Sequence, residues 1–97
     1  MAQVAHVATF TERIDRTLAR AQEDWANVPS LVAEWPNWDD HSRFSFIIDW
    51  PICEDRLQQL VYWSGQGMLS PDQQARYAAL LCLVEQYRPM LTRLFEE

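Results

Sequence analysis

The residue types that carry most chemistry are scarce in this chain: His6, His41, Cys53, Cys82 and the hydroxyls of Ser30, Ser42, Ser45, Ser64 and Ser70. Nucleophilic or hydrolytic catalysis would need several of these to converge in a recognised setting. None lies in a GxSxG elbow, a P-loop, a GxGxxG turn, an HExxH helix or an EF-hand loop. No catalytic residue is assigned, and the chain is expected not to be an enzyme. Histidine and carboxylates are dense only at Trp38-Asp39-Asp40-His41. A metal site there would recruit Glu54 or Asp55 from further along. The spacing matches no ligand pattern, and acidic residues at a helix start already have a role against the helix dipole. No metal or cofactor is expected. Cys53 and Cys82 form no CxxC pair and fall in helical patterns, so both read as buried free thiols rather than as a disulfide.

The second kind of chemistry a sequence can offer is recognition. Five tryptophans, Trp25, Trp35, Trp38, Trp50 and Trp63, exceed ordinary usage. Large rings fill small cores, but Trp, Tyr and Arg are also enriched at interface hot spots. Core filling accounts for some of the five better than for all. Trp35, Trp38 and Trp50, with Arg43, are therefore the first candidates for a contact surface, and at least one of these tryptophans is expected to be exposed. Tyr87, Leu91, Leu94 and Phe95, near the end of a long apolar stripe, are the second group.

These residues must be positioned by helices. Strong helix formers outnumber the β-branched residues roughly three to one, and glycine and proline are sparse. Thr9 and Glu12 have capping-box spacing. Phe10, Ile14, Leu18, Ala21 and Trp25 then mark one apolar face, which predicts a first helix over 9–26 after a frayed 1–8. Its polar face pairs Glu12 with Arg16 and Arg20 with Asp24 at four-residue spacing.

An internal repeat follows: Ser30-Leu31-Val32-Ala33-Glu34-Trp35-Pro36 aligns with Ser45-Phe46-Ile47-Ile48-Asp49-Trp50-Pro51, and an acidic doublet comes three residues after each proline. Asn37/Ile52 and Trp38/Cys53 are the positions that differ. Proline disfavours helix in the residue before it, so each Trp-Pro should end one short helix and open the next, giving two corners within 28–50. Residues 43–50 also alternate in the manner of a strand. No second segment offers such a strand a partner, so helix is preferred.

Cys53, Leu57, Leu60, Val61 and Ser64 give a helix over 51–64, with Gly65 as a left-handed cap. Ser70-Pro71-Asp72-Gln73 restarts the chain with an N-cap serine, proline at the first helical position and a capping-box glutamine. Tyr77, Leu80, Val84, Tyr87, Leu91 and Leu94 continue the pattern, with Pro89 expected to kink or break it before the last turns at 89–95. Residues 51–64 and 71–88 should form a helical hairpin at the stable centre. The expectation is an all-α single domain over 1–97, a small compact bundle of four to five helices.

Composition narrows the function classes. The net charge of −6 opposes direct nucleic-acid binding. All cations are arginine, which reads as the coding bias of a GC-rich, bacterial genome. No apolar run suffices to cross a membrane, and Met1–Thr9 lacks the features of a signal peptide, so a cytoplasmic protein is expected. The function that fits is an interaction module binding another protein through a Trp/Tyr/Arg-rich surface. The alternatives are a homodimeric structural protein, whose C-terminal stripe packs on a second copy, and an inhibitor or antitoxin that neutralises a basic partner.

Overall fold

The computed structural model describes the backbone of residues 2–96 and the side chains from Phe10 onward. The side chain of His6, considered above, lies outside the described residues. Every element is helical: α1 (Ala2–Ala26), α2 (Val28–Glu34), a 3-10 turn (Trp35–Asn37), α3 (Asp40–Gly65) and α4 (Pro71–Glu96). Three long helices carry the fold, with the short α2 and the 3-10 turn as the connection between the first two, in place of a bundle of four to five helices. The all-α class stands.

α1 begins at Ala2, not at Thr9, and the Thr9/Glu12 pair lies within it. No glycine or proline precedes Thr9, so nothing in the backbone chemistry halts the helix there. Ile14, Leu18, Ala21 and Trp25 are buried as their spacing predicts. Asn27 and Pro29 end the helix and start α2, where Pro29 sits in the first turn and costs no hydrogen bond.

The two Trp-Pro units do not share one conformation. At Trp35-Pro36 the chain forms the 3-10 turn, and Trp38 and Asp39 are extended before α3 starts. Asp39 caps α3 by accepting the Ser42 backbone N–H at 2.7 Å. That bond holds the Asp39 carboxyl below the usual carboxylate range. At Trp50-Pro51 the helix runs straight on, with Pro51 inside it. Helix propensity does not separate the two units, since Asn37, Trp38, Ile52 and Cys53 are of comparable helix-forming tendency. What differs is the packing: Trp38 packs on Trp35 and Phe46 from an extended backbone, and Cys53 packs against the core within the helix. Trp50 Nε1 also donates to Glu54 one turn later at 3.0 Å, bridging the position where proline removes a backbone bond. Glu54-Asp55 is therefore mid-helix, while Asp39-Asp40 is at a helix start.

α3 and α4 form the expected antiparallel pair, linked by Ser64 Oγ donating to Gln74 Oε1 at one end and by Arg88 bonding Glu54 toward the other. The cap at the turn is displaced by two residues. Gly65 is the last residue of α3, and Gly67 is the one with positive φ, at 70°. The reciprocal cap at α4 is present: Gln73 N–H donates to Ser70 Oγ, and Ser70 N–H donates to Gln73 Oε1. Gln73 Nε2 reaches across to the Thr11 carbonyl and Asp15, so this buried amide is fully engaged. Pro89 does not break α4, which continues to Glu96.

The hairpin is not the centre by itself. α1 lies along both its helices, with Phe10 edge-on to Trp63, Asp24 paired to Arg56 and Trp25 edge-on to Trp50 on the α3 side. On the α4 side Asp15 pairs with Arg76, and the Arg88 guanidinium lies 4.9 Å over the Trp25 ring. The bundle is a rod, 52 × 25 × 18 Å, rather than a compact ball.

Candidate functional site

The residues first expected at a contact surface are mostly structural. Trp35 and Trp50 are buried, and Trp38 is half-buried against the same cluster. Their rings form a chain with Phe46, at centroid distances of 5.5 to 6.1 Å, that Phe95 joins from α4. Arg43 folds back over Trp35 and donates to its carbonyl through Nε and Nη2, with Nη2 also reaching the Pro36 carbonyl. It fastens the 3-10 turn to α3. Leu91 and Leu94 are buried, Tyr87 is half-buried and only Phe95 of that group is exposed. α2, which packs on α4 and buries Val28, leaves the C-terminal stripe no long free face. No tryptophan meets the expected exposure.

Of the large apolar side chains that are exposed, the densest group lies on the first half of α3. Phe44 is 63% accessible, Ile48 56% and Ile52 58%, and Ile47 is exposed beside them. With Pro51, these occupy positions i, i+3, i+4, i+7 and i+8, the pattern with which a helix ordinarily faces a core. The true core face of the same segment is Phe46, Trp50 and Cys53, so the first half of α3 is apolar on two sides. The apparent strand alternation is the sum of these two faces. Phe44 and Ile48 point outward while Phe46 and Trp50 point inward.

The rim of this face is acidic. Asp40 lies at its start, Asp49 along one edge and Asp55 at its end, and all three are exposed. None takes part in an ion pair among the described residues, whose pairs are Arg56–Asp24, Arg76–Asp15 and Arg88–Glu54. The basic neighbour Arg43 is committed to backbone carbonyls. Beside Ile47 the surface dips into an open cleft formed with Trp35, Pro36, Leu94 and Phe95. The sequence signal for the outer face was available in Phe44, Ile47, Ile48 and Ile52. It was masked because a helix with two apolar faces shows no single periodic stripe.

The groups considered for chemistry do not converge. His41 is exposed at the α3 start, and no cluster of three or more His, Cys, Asp or Glu side chains among the described residues is placed to hold a metal ion. Cys53 is half-buried beside Asp24, and burial together with that carboxylate pushes its thiol pKa up. Cys82 is exposed rather than buried, since it lies outside the Leu80/Val84 face of α4. A small crevice of about 210 Å³ lies at the α1–α3 boundary, lined in part by Asp24, Asp49, Trp50 and Cys53. Trp25 Nε1 is buried without a hydrogen-bond partner. No described helix is long and apolar enough to cross a membrane.

No protein-family model, curated protein or solved structure matches this chain.

Proposed function

We propose that the protein is a non-enzymatic interaction module that receives a basic amphipathic helix of another protein along the outer face of α3. The two-sided apolar character of α3 carries this reading. A helix hydrophobic on both faces belongs in a buried setting, and α1 and α4 cover only one of them. The exposed residues are spaced to meet the i, i+3, i+4 and i+7 anchors of a partner helix. The unpaired rim of Asp40, Asp49 and Asp55 adds a charge preference for lysine or arginine flanks. A second copy would bring the same acidic rim against itself, which disfavours the homodimer. The inhibitor reading is a special case in which the bound helix belongs to a basic protein that is silenced by the contact.

The test is fluorescence anisotropy with a Leu/Lys peptide carrying leucine at i, i+3, i+4 and i+7, a Leu/Glu counterpart and a scrambled Leu/Lys control. The Leu/Lys helix should bind best, and Ile48→Asp should weaken it about tenfold or more without lowering the melting temperature. Equal binding of the scrambled peptide, or no loss in Ile48→Asp, would overturn the proposal. Light scattering on the same samples should give a monomer. A dimer dissolved by Ile48→Asp would replace the foreign helix with a second copy.

A further inference from the structure

A different face carries an independent feature. Arg13, Arg16, Arg20 and Arg56 line one open cleft of about 300 Å³ between α1 and α3, with Thr17 as its remaining lining residue. Half of the eight cations of a chain of net charge −6 are thus gathered where no carboxylate forms the wall. The sequence pairing of Glu12 with Arg16 and Arg20 with Asp24 is not realised. Asp24 turns instead to Arg56, and neither Arg16 nor Arg20 joins an ion pair among the described residues. Like charges at 13/16 and 16/20 oppose helix formation at three- and four-residue spacing, and no ion pair among the described residues offsets that small cost for Arg16 and Arg20.

The outer two arginines are already oriented. The Arg13 guanidinium lies over the Trp63 ring at 5.8 Å, and Arg56 bonds Asp24 through Nη1. Thr17 donates its hydroxyl to the Arg13 carbonyl at 2.8 Å, so its proton is committed and the arginines are the side-chain donors the lining offers. Along α1 the three arginines span about 10 Å. Glu12 and Glu23 lie on the same helix but outside the cleft wall.

We propose that this cleft binds a compact, multiply charged phosphate anion, such as a phosphate monoester or a diphosphate group. Arginine forks match phosphate oxygens in pairs, and an anion with three or more free oxygens can engage several forks where a carboxylate satisfies one. The size is limited by the rest of the molecule. With four of the eight cations in the cleft, one of them paired to Asp24, and a net charge of −6, the rest of the surface is strongly acidic and repels a long polyanion such as a nucleic acid.

The test is titration of the full chain with inorganic pyrophosphate and, separately, with a phosphoserine peptide and its unphosphorylated form, followed by phosphorus NMR and thermal melting. Saturable binding is expected, with at least a tenfold loss of affinity in the double variant Arg16→Ala/Arg20→Ala and none in Arg93→Ala, which lies outside the cleft. Both replaced residues are exposed and outside any ion pair, so the variant should melt as the wild type does in the absence of ligand. Tighter binding of pyrophosphate would assign the anion to a small molecule, and tighter binding of the phosphopeptide would assign it to a modified partner. Absence of saturable binding by both, or an unchanged affinity in the double variant, would overturn the site.

Discussion

Glu54 shows how one side chain can decide a backbone path. It accepts Trp50 Nε1 across the proline turn and is held from α4 by both Nη atoms of Arg88, at 2.8 and 3.0 Å. Burial pushes its carboxyl upward, but the hydrogen bonds from Arg88 and Trp50 and the Arg88 charge outweigh it and leave the pKa below its ordinary 4.5. A carboxylate with a lowered folded-state pKa contributes stability above its unfolded value, and that contribution disappears as pH falls through the folded value. Glu54→Gln should therefore cost about 1 kcal/mol at neutral pH, a modest figure because the pair is partly solvated. The difference from wild type should shrink progressively below about pH 4.5. Urea unfolding midpoints from neutral pH into the acid range measure this. A gap that stays constant with pH would contradict the ionic role.

At the scale of elements, the parts legible in the sequence were those with a single dominant signal. Ile14 to Trp25 on α1, the Ser70/Gln73 cap and the Tyr77-to-Leu94 face of α4 were read from spacing, because each has one apolar side and one polar side. α3 was not legible in the same way. Trp50-Pro51 carries a strong breaker signal, and packing of Trp50 against Trp25 and Phe46 overrides it. A proline inside a helix removes one backbone bond and crowds the preceding turn, at a cost of about 3 kcal/mol in an unsupported helix. Pro51→Ala should accordingly raise stability by about 1 kcal/mol or more, because alanine restores the N–H bond in a segment that is already helical. Thermal and urea melts of this variant decide the matter. Destabilisation would mean that the proline is holding a corner, as the repeat first suggested. At Trp35-Pro36 the corner is real, and Arg43 secures it, a role that the sequence offered no means of separating from interface contact.

For the whole molecule, the consequence is a division of labour between faces. The tryptophans that looked like a recognition surface are consumed in joining α1, the 3-10 turn and α3. The recognition features left over are the isoleucine and phenylalanine stripe flanked by unpaired aspartates on α3 and the arginine cleft at the α1–α3 boundary. Exposed single apolar residues are ordinary on proteins, but four on successive turns of one helix, opposite a face that is already packed, are not. The acidic rim and the apolar stripe together select a basic amphipathic helix more strongly than either does alone, since the charges guide approach and the stripe supplies burial.

Backbone amide NMR during titration with the Leu/Lys helical peptide reports whether the outer face of α3 is the contact surface. Saturating shifts are expected between residues 44 and 55 and at Phe95, with α1 residues 13–20 unmoved. Shifts spread evenly over the acidic surface, or centred away from α3, would contradict that assignment.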